Sequence, residues 1–351
     1  MHQLNSILEN KAINNLIATF KRSPMQLNKS HESDAEIIQL NDFNNTKLAI
    51  TTDSISEEIS TGLYEDPYLT GWMVVTVNMS DLAAVGADPI GILISEIIPE
   101  NFDSGKIIHL QKGIKEACEC YNTFVLGGDT NSGEKLILSG CAVGIIQSKK
   151  TISRIGCKPG DSLFSTGSLG TGNAFAVEKL ISKKSNQIFY KPSARLREGK
   201  LINKYASCCM DSSDGFLSTL DQLMRLNNVG FEIVDNWEYS IDVESKLFAS
   251  QNKIPSWLLL AGQHGEFELI FTIPQELEEE FLKESSENNF SMIKLGKVLP
   301  EPGIMLPLYE NLLLIDTAKI RNLPLETGTD INLYLKKLMD YDSELIIACY
   351  S

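Results

Sequence analysis

Five aspartates stand just beyond an apolar run or at the start of a helix, and this recurrence in both halves constrains the chain more than any other feature. They are Asp53 after Leu48-Ala-Ile-Thr-Thr52, Asp81 in NMSDLAAVGA, Asp129 in VLGGDT, and Asp211 and Asp214 in MDSSDG. The apolar runs are short and strand-like, and helix-period segments separate them. The pattern is therefore α/β alternation, with antiparallel neighbours allowed. Ligands of such folds bind where strand ends converge. Any one aspartate after a strand also serves as a helix cap or turn former. Five at equivalent places point to a shared site.

Carboxylates gathered in one place repel each other and hold their protons unless a cation intervenes. Mg²⁺ suits such a set, because it takes oxygen ligands and shares phosphate oxygens with a nucleotide. In DSSDG the two aspartates bracket a turn that Gly215 can close before a helix. Gly127-Gly128 allows close backbone approach beside Asp129. Gly160 and TGSLGTG (166–172) precede a helix whose amides suit phosphate, although a plain strand–helix connection explains them equally. Arg154 and Lys158 lie in a basic stretch that either neutralises phosphate or is solvated linker. His264 reads as structural or as a substrate contact. Glu266 and Glu268, placed on a strand, would share one face around Phe267. Trp72 reads as core.

Other classes are disfavoured. The 351 residues carry 46 acidic and 31 basic side chains, a net charge of −15, which repels nucleic-acid backbones and anionic lipid. No run of about 20 apolar residues suits a bilayer span, and no signal peptide is evident at the start. Seven cysteines without a CxxC pair and four scattered histidines give neither a disulfide framework nor a zinc site, so a cytoplasmic setting is expected. There is no GxxxxGK[ST], and no GxGxxG opens an early βαβ unit. No histidine has a plausible nucleophile beside it.

Periodicity predicts an amphipathic helix over 4–20, loop over 22–45 around AEIIQL, a strand at 48–52, loop through 54–69 and a small-residue helix over 70–87. A strand over 90–98, a helix from Ser104 to about Cys120 and two further strands complete the first half. The turn-rich segment 148–161 marks a domain boundary, and a second α/β set follows. The last thirty residues look like an appended helix.

The motifs NMSDLAAVGADP, GGDTNSG, SRIGCKPGDSLFSTGSLG, MDSSDG and GEFELIFT, in that order, resemble thiamine-monophosphate kinases and their relatives in the aminoimidazole-ribonucleotide-synthetase-like (PurM-like) superfamily. The resemblance covers roughly residues 30–300. It implies an α/β (α+β) fold of two domains: 1–148, binding ATP and Mg²⁺ and forming a β-barrel shared across a homodimer, and 149–320, an α-β sandwich, with a helical tail over 321–351. It implies metal ligands at Asp34, Asp53, Asp81, Asp129, Asp211 and Asp214. Nucleotide contacts would come from Asp53, Gly127, Gly128, Asp129, Thr130, Arg154 and Ser213, with Asp129 and Asp214 closest to the chemistry. The implied activity is ATP- and Mg²⁺-dependent phosphoryl transfer to a small phosphorylated or hydroxylated metabolite, with thiamine monophosphate as the leading acceptor. ATP-dependent cyclisation or dehydration, and a catalytically weak ATP-binding regulator, are the alternatives.

Three segments depart from the family pattern. Glu32-Ser33-Asp34-Ala35-Glu36 stands for Gly-Asp-Asp-Ala-Ala. Residues 53–61, Asp-Ser-Ile-Ser-Glu-Glu-Ile-Ser-Thr, stand for Asp-Thr-Leu-Val-Glu-Gly-Val-His-Phe. Residues 263–271, Gln-His-Gly-Glu-Phe-Glu-Leu-Ile-Phe, stand for Gly-Gly-Glu-Asp-Tyr-Glu-Leu-Leu-Phe. The changes concentrate in segments expected to touch the acceptor.

Overall fold

A computed structural model describes residues 4–17, 23–39, 46–148, 150–182 and 187–350. The first sheet holds β1 (Glu36–Gln39), β2 (Thr46–Ser54), β3 (Asp88–Pro99), β4 (Val125–Gly133) and β5 (Ile137–Gln147), ordered β1-β2-β5-β3-β4. Its pairs are antiparallel except β3 with β4. The sheet is open among the described residues, with β4 as an edge. Helices α1 (Leu8–Ile17), α2 (Ser56–Thr61), α3 (Pro67–Ala84) and α4 (Ser104–Cys120) belong to this half.

The second sheet holds β6 (Ser162–Ser165), β7 (Cys208–Asp211), β8 (Gly230–Ile233), β9 (Leu269–Ile273), β10 (Ile293–Leu299), β11 (Gly303–Leu308) and β12 (Asn311–Ile315), ordered β12-β11-β8-β10-β6-β9-β7. Only β8 and β11 run parallel. Its helices are α5 (Thr171–Val177), α6 (Leu196–Tyr205), α7 (Phe216–Asn227), α8 (Val243–Gln251), α9 (Leu258–Ala261), α10 (Glu278–Glu287), α11 (Thr317–Thr327) and α12 (Ile331–Tyr350).

Helix α3 explains how the halves meet. Asp66 caps it by accepting from Tyr68 N, and Pro67 occupies its first turn. Every residue from Leu69 to Ala84 is buried, including Trp72. A helix apolar on all sides belongs inside, and α3 packs against β2, β3 and β5 on one flank and β7 and α6 on the other. Gly71 and Gly113 let α3 and α4 touch: a Cβ on Gly71 would lie 2.0 Å from the Leu110 carbonyl oxygen. Met79 and Leu82 have no exposed surface, and truncating either to alanine removes about 2–5 kcal/mol.

Two expectations are revised. The stretch 54–69 is not all loop, because Ser56–Thr61 turns once as α2 and ends at Gly62 in the left-handed region. The C-terminal tail is two helices docked on the second half: Trp257 donates to Asp342 Oδ1 at 2.6 Å, and Thr317 donates to Asp221 at 2.6 Å. Of the expected first helix, residues 18–20 lie outside the described residues.

Candidate active site

The C-terminal ends of β2 and β7 meet the last turns of α3, so one cavity forms between the two sheets. Its volume is about 470 Å³. Asp34, Asp53, Asp81, Asp214, Ser213 and Arg154 line it, and Asp211 lies at its wall through its neighbours. Ligand oxygens of Asp34, Asp81 and Asp211 all fall within 4.8 Å of one another.

Local chemistry fixes each side chain. Thr51 donates to Asp81 Oδ2, and Ser80 donates to Asp211 Oδ2 at 2.6 Å, tying α3 to β2 and β7. Asp53 N donates to Asn78 Oδ1 at 3.1 Å. Gly215 (φ 82) starts α7 and lies so close to the Gly262 carbonyl that a Cβ would sit 2.2 Å from it. The turn that presents Asp211 and Asp214 therefore needs glycine there, as its sequence suggests.

The electrostatics are those of carboxylates short of cations. Burial first, then Asp53, Asp211 and Asp34, push Asp81 well above the carboxylate range. Burial and Asp34 raise Asp211 to about 7. Asp53 is raised by burial although it hydrogen-bonds Asp81. Asp214 opens onto the cavity, yet the protein packed around it desolvates its carboxyl and raises its pKa. Burial opposes the Arg154 charge, but Asp34 at 2.9 Å outweighs it and the guanidinium stays charged. That single pairing leaves Asp34 Oδ2 buried with no hydrogen-bond partner.

Other expected residues fall elsewhere. Gly127, Gly128, Asp129 and Thr130 lie on the exposed edge strand β4, outside the cavity of the single chain. Gly128 is needed by the sheet itself, since a Cβ there would meet the Ile94 carbonyl oxygen at 1.9 Å. Asp129 accepts from Asn131 at 2.6 Å. The 167–172 turn packs on the 264–268 segment, where a Cβ on Gly172 would meet the His264 and Gly265 carbonyls at 2.3 Å. Lys158 is solvent-exposed. Phe267 takes φ 60, so 264–268 is not a strand and the two glutamates part company. Glu266 accepts from Gly172 N at 3.0 Å, while Glu268 accepts from Arg195 and Thr166.

Sequence reasoning missed Glu9, Glu58, Gln222 and Arg321, all on the cavity wall. Arg321 of α11 donates to Asp221 Oδ2 and Gln222 Oε1, both at 2.9 Å, and pairs with Glu9 of α1 at 3.4 Å. Glu9 and Arg321 come from opposite ends of the chain, Glu58 and Gln222 from α2 and α7, and no local motif announces any of the four.

A carboxylate-lined cavity between two mixed α/β layers defines a protein of the PurM-like class. The family model described as AIR synthase related protein, N-terminal domain, matches residues 32–146. Thiamine-monophosphate kinase of Aquifex aeolicus (strain VF5) is 31% identical over 268 residues, 74% of this chain and 83% of the relative. That of Methanocaldococcus jannaschii is 29% identical over 313 residues, 84% of this chain and 94% of the relative. Within the class, then, the chain belongs to the thiamine-monophosphate kinase family. The solved structure of AaThiL complexed with AMPPCP and TMP superposes with a TM-score of 0.71 at 25% identity, covering 90% of this chain and 98% of that one. The hydrogenase maturation protein HypE in complex with ATP shares the fold at 16% identity and a TM-score of 0.64, covering 90% of this chain and 97% of that one.

Proposed function

We propose that this kinase transfers the γ-phosphoryl group of ATP to thiamine monophosphate, giving ADP and thiamine diphosphate, and that Mg²⁺ is its cation. The observation that carries the reading is the set of five aspartates around one cavity, of which, among the described residues, only Asp34 is paired directly with a cation, Arg154. The donor set fits a hard divalent ion: three carboxylates with neighbouring oxygens, no thiolate or imidazole among them, and one buried oxygen lacking a partner. Asp34, Asp81 and Asp211 would hold it, with Asp53 and Asp214 beside them. When bound, Mg²⁺ neutralises phosphate oxygens and stabilises charge during transfer.

The chain's own residues do the positioning. Thr51 and Ser80 each hold one oxygen of Asp81 and Asp211, and Arg154 holds one of Asp34, which fixes where the remaining oxygens lie. Arg154 and Arg321 supply positive charge along a wall that ATP and the acceptor phosphate must approach. The acceptor phosphate is ionised near neutral pH, so no general base is required of the protein.

The proposal includes a homodimer paired through β4. Edge strand β4 and its neighbours expose Phe124 (66%), Val125 (49%), Leu126 (52%) and Leu93 (45%), an apolar surface suited to burial. Pairing there would cover Gly127–Thr130 and bring Asp129 into an interface, where its role at the nucleotide belongs. All seven cysteines are free, which fits a reducing, cytoplasmic setting. Among the described residues, no helix is long and apolar enough to cross a membrane.

Calorimetry with the non-hydrolysable nucleotide AMPPCP tests the site. Binding should strengthen at least tenfold when Mg²⁺ is added, and Asp81→Asn should abolish the gain. Equal affinity with and without Mg²⁺ would remove the metal assignment.

A further inference from the structure

Ile55, Glu58, His264 and Phe267 line the same cavity as the aspartates, and two of the segments that depart from the family pattern supply them. Glu58 lines the cavity from α2, yet its Oε2 is closed off from solvent and has no hydrogen-bond partner. An orphaned buried carboxylate oxygen is costly, and on a cavity wall a donor brought by a ligand recovers that cost.

The surroundings of Glu58 restrict what that donor belongs to. Its carbonyl accepts from Leu63 N and Tyr64 N, at 2.8 and 3.2 Å, which folds Tyr64 back over α2. The Tyr64 hydroxyl meets His264 Nε2 at 3.3 Å, with ring centroids 5.7 Å apart. Tyr190 stacks on Phe175 at 4.6 Å, lies 5.1 Å from His264, and donates to the Gly265 carbonyl at 2.9 Å. The imidazole is thus clamped among rings with its backbone fixed. Burial keeps it neutral, with its pKa lowered to about 4. A flat wall carrying one unpaired anion suits a flat ring carrying N–H donors or a positive charge.

We infer that Glu58 and His264 form the subsite that reads the heteroaromatic end of the acceptor, with Glu58 Oε2 accepting from an amino group or balancing a cationic ring. The inference rests on the kinase reading above and names the residues that select its acceptor. Thiamine monophosphate has both features, an aminopyrimidine and a thiazolium. The reaction then places its phosphate toward the aspartates, and the acceptor spans the cavity.

Steady-state kinetics of Glu58→Gln test this, with Glu57→Gln on the exposed face of the same helix as control. Glutamine keeps the shape and removes the charge, so melting temperature should hold. The expected result is a KM for thiamine monophosphate raised roughly 10- to 100-fold, the loss of one charged hydrogen bond. The KM for ATP should stay within about twofold, kcat should be largely kept, and Glu57→Gln should behave as wild type. An acceptor analogue whose pyrimidine amino group is replaced by hydrogen should discriminate less between wild type and Glu58→Gln. An unchanged acceptor KM in Glu58→Gln, with an active wild type, overturns the subsite and leaves the kinase reading standing. A wild type that forms no thiamine diphosphate overturns the kinase reading instead. Calorimetry with thiamine monophosphate then decides the subsite, which stands only if wild type binds it and Glu58→Gln binds it at least tenfold more weakly.

Discussion

Arg154 donates from Nη2 to Asp34 Oδ1 at 2.9 Å across 120 residues of sequence, and Asp34 Oδ2 is left buried and without a partner. The Arg154 backbone reinforces the link, because its N–H donates to the Glu32 carbonyl at 2.8 Å. One guanidinium therefore orients one carboxylate while leaving its second oxygen for a cation. The Asp34 side chain has no exposed surface and that of Arg154 is 18% exposed, so water screens the pair poorly.

Replacing Arg154 by Met should therefore cost about 3 kcal/mol, because it leaves a buried charge unpaired. Urea denaturation without Mg²⁺ measures it. The double variant Arg154→Met, Asp34→Asn should recover a large part of the loss, and a strictly additive double variant would contradict the coupling.

Stability should also depend on pH in a direction set by burial. Glu266 is raised to about 8 and Asp211 to about 7, burial being the largest cause for each. Below about pH 3, folded and unfolded chains both keep these protons. As pH climbs, the unfolded chain releases them first, so the folded state loses ground until pH passes about 8. Without Mg²⁺ the melting temperature should fall across that window. Millimolar Mg²⁺ should offset the fall most at its upper end, since the ion binds ionised carboxylates. Glu266→Gln should flatten the part of the slope that Mg²⁺ does not touch.

The site was legible to the extent that chemistry lies in local motifs. Asp53, Asp81, Asp211 and Asp214 read as strand-end carboxylates, and the structure gathers them with Asp34 around one cavity. Asp34 lies in a segment with one aspartate fewer than the family pattern, yet it belongs to the tightest trio. Arg154 was ambiguous between linker charge and site, and only the fold brings it to Asp34. Glu9 and Arg321 were invisible because α1 and α11 meet over the cavity from opposite ends of the chain. Helix α2 escaped notice because Ile55 and Ile59 are a single i, i+4 pair in a helix of 6 residues, too short for a period to emerge, and Phe267 could not be foreseen in a left-handed conformation. Asp129 reads like the other aspartates, but an edge strand in a single chain does not deliver it to the cavity.

Asp81→Asn and Asp214→Asn should each lower turnover at least 100-fold while leaving the fold intact. Removing one charge from a repelling set should hold or raise the melting temperature in the absence of Mg²⁺. Parallel loss of activity and of melting temperature would make these residues structural. Turnover within about twofold of wild type in both variants would contradict their assignment.

Light scattering should show a species of about twice the chain mass of 38.9 kDa at micromolar concentration. Val125→Asp on the exposed face of β4 should shift it to the single-chain mass and reduce activity together with it. A wild type found only at the single-chain mass would remove the dimer and, with it, the place proposed for Asp129.

Phosphoryl transfer to thiamine monophosphate is tested by incubating the protein with Mg²⁺, ATP and thiamine monophosphate while following ADP, free phosphate and thiamine diphosphate together. Thiamine diphosphate should form one-for-one with ADP, with little free phosphate and no turnover in the presence of a chelator. ADP released with equal free phosphate and no thiamine diphosphate would contradict it.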